Sequence, residues 1–192
     1  MSPQIILASA SPRRQELLDQ INVSYTVFPV DVDETPLSHE LPLAYVQRLA
    51  AEKSAACAAL IGHGTPILAA DTAVVLDQLI LGKPKDKAEG LAMLRLLSGK
   101  THQVYTGVSL RGLIHTQAVS ITAVRFKSLT EKEIQAYWQS GEPLDKAGSY
   151  AIQGKAGLFV ASITGSFSGV VGLPLFETGQ LLAEQGIDTT NE

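Results

Sequence analysis

Arginines beside a turn of small residues make an anion site, and such a pair stands near the start of this chain in Ser9-Ala10-Ser11-Pro12-Arg13-Arg14. The turn follows the apolar run Ile5-Ile6-Leu7-Ala8, and Ser11 with Pro12 reads as the N-cap and first position of a helix. Free N–H groups at a helix start, the positive end of its dipole and bidentate guanidinium groups all favour phosphate. The alternative is a capped helix with two solvated arginines, because the glycine-rich phosphate fingerprints are missing.

Asp71 is the second signal. It lies with Thr72 inside the apolar run from Ile67 to Leu76, which otherwise reads as a central strand. An unpaired buried carboxylate is costly, so Asp71 is either partnered or placed at a strand end facing a cleft. Glu34, in Asp31-Val32-Asp33-Glu34, offers a further carboxylate, and the two together could hold a hard divalent cation. Taken alone, Asp71 also fits an aspartate ending a strand, and the acidic loop fits a solvated one. Lys53 in an alanine-rich helix and Lys83 between Gly82 and Pro84 are candidate phosphate cations, although most lysines are surface groups. A last constellation runs from Asp145 to Gly154. There glycines permit close backbone approach, Lys146 adds a cation, Gln153 has an amide able to read a base edge, and Tyr150 can pack or hydrogen-bond. It reads equally as a polar loop.

The elements that must position these groups alternate between strand and helix. Strands are expected at Ile5 to Ala8, Tyr25 to Phe28, Ile67 to Leu76, Leu79 to Leu81, Val104 to Leu110, Ala118 to Phe126, Leu158 to Val160 and Val170-Val171. Helices are expected after Pro12, from Leu43 to Leu60, from Ala88 to Leu97, after the Thr130/Glu133 capping box through Trp138, and from Pro174 to Gln185. Asp77-Gln78 suggests a hairpin, and such interruptions favour a mixed sheet with helices on its faces over a purely parallel one.

The chain has 192 residues and fits one domain, 1–192, of one lobe or two. A net charge of −4 and a charged fraction of 18% argue against a nucleic-acid-coating surface, so an anion must meet a local cluster of cations. Cys57 is the only cysteine and reads as a buried helix residue. His39, His63, His102 and His115 show no ligand spacing. With no leader-like segment and no apolar run near the roughly 20 residues that span a bilayer, the expectation is a cytoplasmic protein without a membrane partner.

In order along the chain, these segments resemble the Maf family of nucleotide pyrophosphatases, small enzymes first noticed through effects on septum formation. The resemblance runs from Leu7 to about Leu182. It rests on Leu7-Ala8-Ser9-Ala10-Ser11-Pro12-Arg13-Arg14, Val32-Asp33-Glu34, Glu52-Lys53, Ala70-Asp71-Thr72, Gly82-Lys83-Pro84, Ser98-Gly99-Lys100-Thr101-His102, Asp145-Lys146-Ala147-Gly148 and Val171-Gly172-Leu173-Pro174. The tail from about Gly186 matches no motif and is a candidate for disorder.

The resemblance implies an α/β fold like that of inosine triphosphate pyrophosphatases, with two lobes around a twisted mixed sheet and a central cleft. It implies hydrolysis of nucleoside triphosphates to monophosphate and pyrophosphate, a divalent cation (Mg²⁺ or Mn²⁺) and a homodimer. A house-cleaning role against non-canonical nucleotides and a link to arrest of division come with the family. By motif, Asp71 is the expected proton acceptor and Glu34 with Asp71 the metal ligands. Lys53, Lys83 and Arg14 are the expected phosphate cations, with Ser9, Ser11 and Lys146 also on the substrate. Arg13, Thr72 and Gln153 match the branch acting on dTTP and UTP, where the similar residues are associated with base choice. The alternatives are a 7-methyl-GTP or purine pyrophosphatase of the same fold and a nucleotide-binding division regulator that hydrolyses nothing.

Overall fold

The computed structural model describes residues 3–62 and 64–189; residues 1–2, His63 and residues 190–192 lie outside the described part. Strand β1 (Ile5–Leu7) leads through helix α1 (Pro12–Asp19) to β2 (Tyr25–Val27), and the two strands pair in parallel. β1 also pairs in parallel with β3 (Ile67–Leu76), while β5 (Thr101–Arg111), β6 (His115–Phe126) and β7 (Val160–Thr164) add antiparallel neighbours. The order is β2-β1-β3-β5-β6-β7, a mixed sheet as expected from interleaved helices and hairpins.

The edges of β3 decide where a cleft can form. β5 pairs with β3 along Ile67 to Val75 and occupies one whole edge. On the other edge β1 reaches only Ile67 and Leu68, and the hairpin strand β4 (Leu79–Leu81) takes Val74 to Leu76. Among the described residues no strand pairs with Ala69 to Ala73 on that edge, and Asp71 and Thr72 sit in the gap. The β3–β4 turn is made by Asp77 and Gln78 at φ +49° and +68°, the two positive angles that a tight two-residue hairpin requires.

Side chains alternate across a strand, so the two faces of β3 meet different partners. Ile67, Ala69, Ala73 and Val75 pack against helix α2 (Pro42–Ile61) through Tyr45, Val46, Leu49, Cys57 and Ala58. Leu68, Ala70, Val74 and Leu76 face the larger core, where α1, α3 (Lys87–Leu97), α4 (Glu131–Gln139) and α6 (Leu175–Glu184) place Leu18, Leu94, Leu97, Ile134 and Leu182. By the same alternation Asp71 points to the α2 side and Thr72 to the other.

Gly107, the β5 partner of Asp71, lets α2 come this close. A Cβ there would lie 2.4 Å from the carbonyl oxygen of Val46, a backbone atom with no rotamer to escape into. Gly107→Ala is expected to cost about 1–3 kcal/mol in urea unfolding, the usual range for overpacking. Because α2 must move to admit the methyl, the carboxylate and cation that it brings together should also separate, lowering kcat more than it changes KM.

Two strands expected from apolar runs are something else. Leu158 belongs to a 3-10 turn at Lys155–Leu158, and β7 begins only at Val160 and continues to Thr164. Val170 and Val171 end the short helix α5 (Phe167–Val171), despite their β-branched side chains. Capping overrides propensity there: the Ser166 hydroxyl accepts from the Gly169 N–H, and Gly172 at φ +131° terminates the helix. At the far end Gly186 follows α6 at φ +72°, and Ile187 packs on the core.

Candidate active site

The open stretch of β3 lies at the wall of a cleft of about 650 Å³, a size usual for small-molecule sites. The β1–α1 turn, the 29–34 loop, α2, the Gly82-Lys83 loop, the segment 145–150 and the end of α5 supply its remaining walls. Ser9, Ser11, Arg13, Arg14, Glu34, Lys53, Asp71, Thr72, Lys83 and Lys146 all line it.

At the first turn, Ser11 occupies the cap position of α1 but its hydroxyl makes no capping bond. Ser9 organises the turn instead, accepting from the Ser11 N–H at 3.2 Å and from Arg14 Nη1 at 3.1 Å. Arg14 also donates from Nε to the Gly172 carbonyl at 2.9 Å and from Nη2 to Thr72 Oγ1 at 3.4 Å. Three neutral oxygens therefore hold the guanidinium in place and none cancels its charge. Burial lowers the Arg14 pKa, with the Asp71 charge opposing. Thr72 is itself held by Thr106 at 3.0 Å, and Thr106 donates to the Gly169 carbonyl.

Lys53, a candidate phosphate cation, is buried instead of being the surface group that most lysines are. Leu49, Lys53 and Cys57 follow one another at four-residue spacing, so the lysine shares the buried face of α2. Its Nζ donates at 2.6 Å to Asp71 Oδ1 and at 2.6 Å to Glu34 Oε1, and only 9% of the residue is exposed. Asp71 is not at a strand end either. It stands mid-strand, in register with Gly107, and is partnered as a buried carboxylate must be. Burial pushes the Asp71 carboxyl above the usual aspartate range, against the pull of Lys53 and Arg14. For Glu34 burial also acts upward, but the Lys53 hydrogen bond and charge, with Lys83 and Arg14, outweigh it and leave the carboxyl below its ordinary value. One carboxylate is thus prepared to take a proton and the other to stay ionised, which separates their roles.

The remaining cations stand around this pair. Lys83 is exposed on its loop, and the preceding Gly82 carbonyl accepts from the Gly148 N–H at 3.1 Å, tying that loop to the segment carrying Lys146. Among the described residues, Arg13, Arg14, Lys83 and Lys146 form no salt bridge with a carboxylate. Four unpaired cations around one cleft are a stronger anion signal than any one of them. Gln153 is placed differently: it is exposed and is not among the cleft-lining residues. Tyr150 lines the cleft while its hydroxyl meets the buried His102 Nε2 at 2.8 Å.

Glu34 and Asp71 bring carboxylate oxygens to one ammonium, and no group of three or more acidic, histidine or cysteine ligands exists among the described residues. Mg²⁺ in phosphate-handling sites commonly takes one or two carboxylates and completes its shell with water and phosphate oxygens. Two carboxylates sharing one ammonium therefore fit a cation that arrives with a polyphosphate. Tyr45, missed in the sequence because it reads as part of the apolar face of α2, lines the same cleft and donates to the Glu34 carbonyl at 2.9 Å. Its spacing of eight residues from Lys53 was the available signal.

Comparison with known proteins gives the chain its family. The chain is 51% identical over 187 residues to the dTTP/UTP pyrophosphatase of Methylococcus capsulatus, a match covering 97% of this chain and 93% of that protein. It is 52% identical over 181 residues to the dTTP/UTP pyrophosphatase of Vibrio cholerae, covering 93% and 96%. The protein of the same name from Nitrosomonas europaea is 53% identical over 196 residues, covering 95% of each. Among solved structures, a HAM1 protein from Coxiella burnetii aligns with a TM-score of 0.55 over 95% of this chain and all of that one, at 16% identity, a likeness of fold alone. The description "Maf-like protein" matches residues 4–185. With these identities over nearly the full length, the chain belongs to the Maf-like protein family.

Proposed function

We propose that this chain hydrolyses nucleoside triphosphates, dTTP and UTP foremost, to the nucleoside monophosphate and pyrophosphate. The observation that carries the reading is Lys53 holding Asp71 and Glu34 together in the gap of β3, beneath cations that have no carboxylate of their own. Names borne by relatives at about half identity supply the substrate class. The cleft cations grip the triphosphate chain, with Arg14 fixed by its three oxygen anchors and Lys83 approaching from the Gly82-Lys83 loop. Glu34 and Asp71 would hold a divalent cation, which would supply neutralisation of charge on the phosphates. Asp71 takes the proton of a water whose oxygen bonds to the α-phosphorus, as the bond from that phosphorus to the bridging oxygen breaks and pyrophosphate leaves. Lys53 orients both carboxylates and offsets the charge that collects between them.

Arg13 and Thr72 are the proposed base-selecting side chains within the cleft. Gln153 belongs with them in this reading only if its loop turns inward around a bound nucleotide. The expected setting is the cytoplasmic nucleotide pool, and the homodimer is a proposal to be checked by light scattering. The reaction is tested by product analysis across dTTP, UTP, CTP and 7-methyl-GTP with Mg²⁺ or Mn²⁺. Pyrophosphate release fastest from dTTP and UTP is the expected result. Release of orthophosphate rejects the reaction type, and a win for 7-methyl-GTP rejects the base preference.

A further inference from the structure

Glu34 lies on a stretch without regular structure between Phe28 and Leu41, yet its carboxylate must meet Lys53 within a hydrogen bond. A catalytic group on a loop keeps its place only if its supports do. The supports come from α2, the helix that also carries Lys53. Tyr45 is 7% exposed, its ring walls the cleft, and its hydroxyl donates to the Glu34 main-chain carbonyl at 2.9 Å. One turn on, Arg48 grips Glu40 through two hydrogen bonds of 2.6 and 2.7 Å and reaches the Thr35 carbonyl at 3.3 Å. The Arg48 guanidinium carbon lies 5.7 Å from the centre of the Tyr45 ring, so the two supports brace each other.

We propose that Tyr45 is a positioning residue for the reaction, holding the Glu34 main chain so that its carboxylate and that of Asp71 converge on Lys53. The residue acts through Glu34. Displacing a reacting group by about 1 Å can cost on the order of 100-fold in rate, so a small loss of register at Glu34 is enough to be read.

This inference rests on the hydrolytic reading above, and the experiment separates the two. Tyr45→Phe removes only the hydroxyl and keeps the ring against α2 and Arg48. Its kcat with dTTP is expected to fall on the order of 10-fold with KM within about 2-fold, because the phosphate cations are untouched. Amides from Asp33 to Glu40 should exchange with solvent faster than in the wild type, while the rest of α2 keeps its protection. In a Glu34→Gln background the same change should have almost no further effect on kcat, since the group being positioned is already gone. Wild-type kcat in Tyr45→Phe overturns the proposal, as does an equal loss in both backgrounds, which marks a general structural role. Should the wild type show no turnover on any triphosphate, the hydrolytic reading fails, and unchanged exchange of the 33–40 amides then rejects the tether independently.

Discussion

Asp71→Asn is expected to lower kcat with dTTP by about 10²–10⁴, the contribution usual for a positioned general base, while leaving the chain folded. Asparagine keeps the shape of the side chain and an oxygen for the Lys53 ammonium, which still has Glu34 at 2.6 Å. What it loses is the ability to take a proton. Triphosphate affinity should change far less, because Arg14, Lys83 and Lys146 do not depend on Asp71 for their positions. The wild-type pH profile supplies a second check. Burial lifts the Asp71 carboxyl above the ordinary aspartate value, so as pH falls the group protonates early and kcat/KM declines. The Glu34 carboxyl, held down by Lys53, ionises below its usual range and does not set that limb. An acid limb above the reference value near pH 3.9 is therefore expected, and Asp71→Asn should abolish it. Near-wild-type turnover in this variant would remove Asp71 from the mechanism.

Most of the fold was legible from short-range pattern. The β3 run, the Asp77-Gln78 hairpin, the Thr130/Glu133 capping box and the α2 periodicity each follow from local sequence, and each is observed. What failed was decided by helix capping or by contacts far along the chain. Val170-Val171 carries strand propensity, but Ser166 and Gly172 close it into a helical turn against the sheet. The cleft itself was not legible as a shape. It exists because β1 stops at Leu7 and β4 starts pairing only at Val74, and strand lengths of three residues are set by tertiary packing rather than by propensity.

The site residues divide in the same way. Asp71 announced itself as a charge in an apolar run, and Arg13 and Arg14 as cations at a helix start. Lys53 carried a signal that composition hides: among alanines any lysine looks exposed, whereas the spacing from Leu49 to Cys57 puts it on the buried stripe. Tyr45 reads as one more apolar residue, because the hydroxyl that gives it a role meets a main-chain carbonyl eleven residues away. Gln153 shows the converse, a residue selected by resemblance that the fold leaves on an exposed loop outside the cleft wall.

Lys53→Met is expected to be the most destabilising single change in the site. Methionine matches the length and fills the groove beside Leu49 and Cys57, so packing is largely kept. The loss is electrostatic: Asp71, 6% exposed, is left with a buried charge and no hydrogen-bonded cation. Removing one partner of such a buried pair costs about 3–5 kcal/mol at neutral pH. The sign of its pH dependence follows from the proton balance. Without Lys53 the folded-state pKa of Asp71 rises further above the unfolded value, so the folded chain holds a proton that the unfolded chain has released. Stability is then lost as pH climbs from the unfolded pKa through the folded one, and the variant and wild type should converge in acid. Asp71→Asn placed on Lys53→Met removes the stranded charge. Most of the lost stability should return in urea unfolding at pH 7, yet turnover should not. A Lys53→Met variant as stable as the wild type at pH 7 would mean that solvent already reaches Asp71. The raised carboxyl on which its role as proton acceptor depends would then have no physical cause.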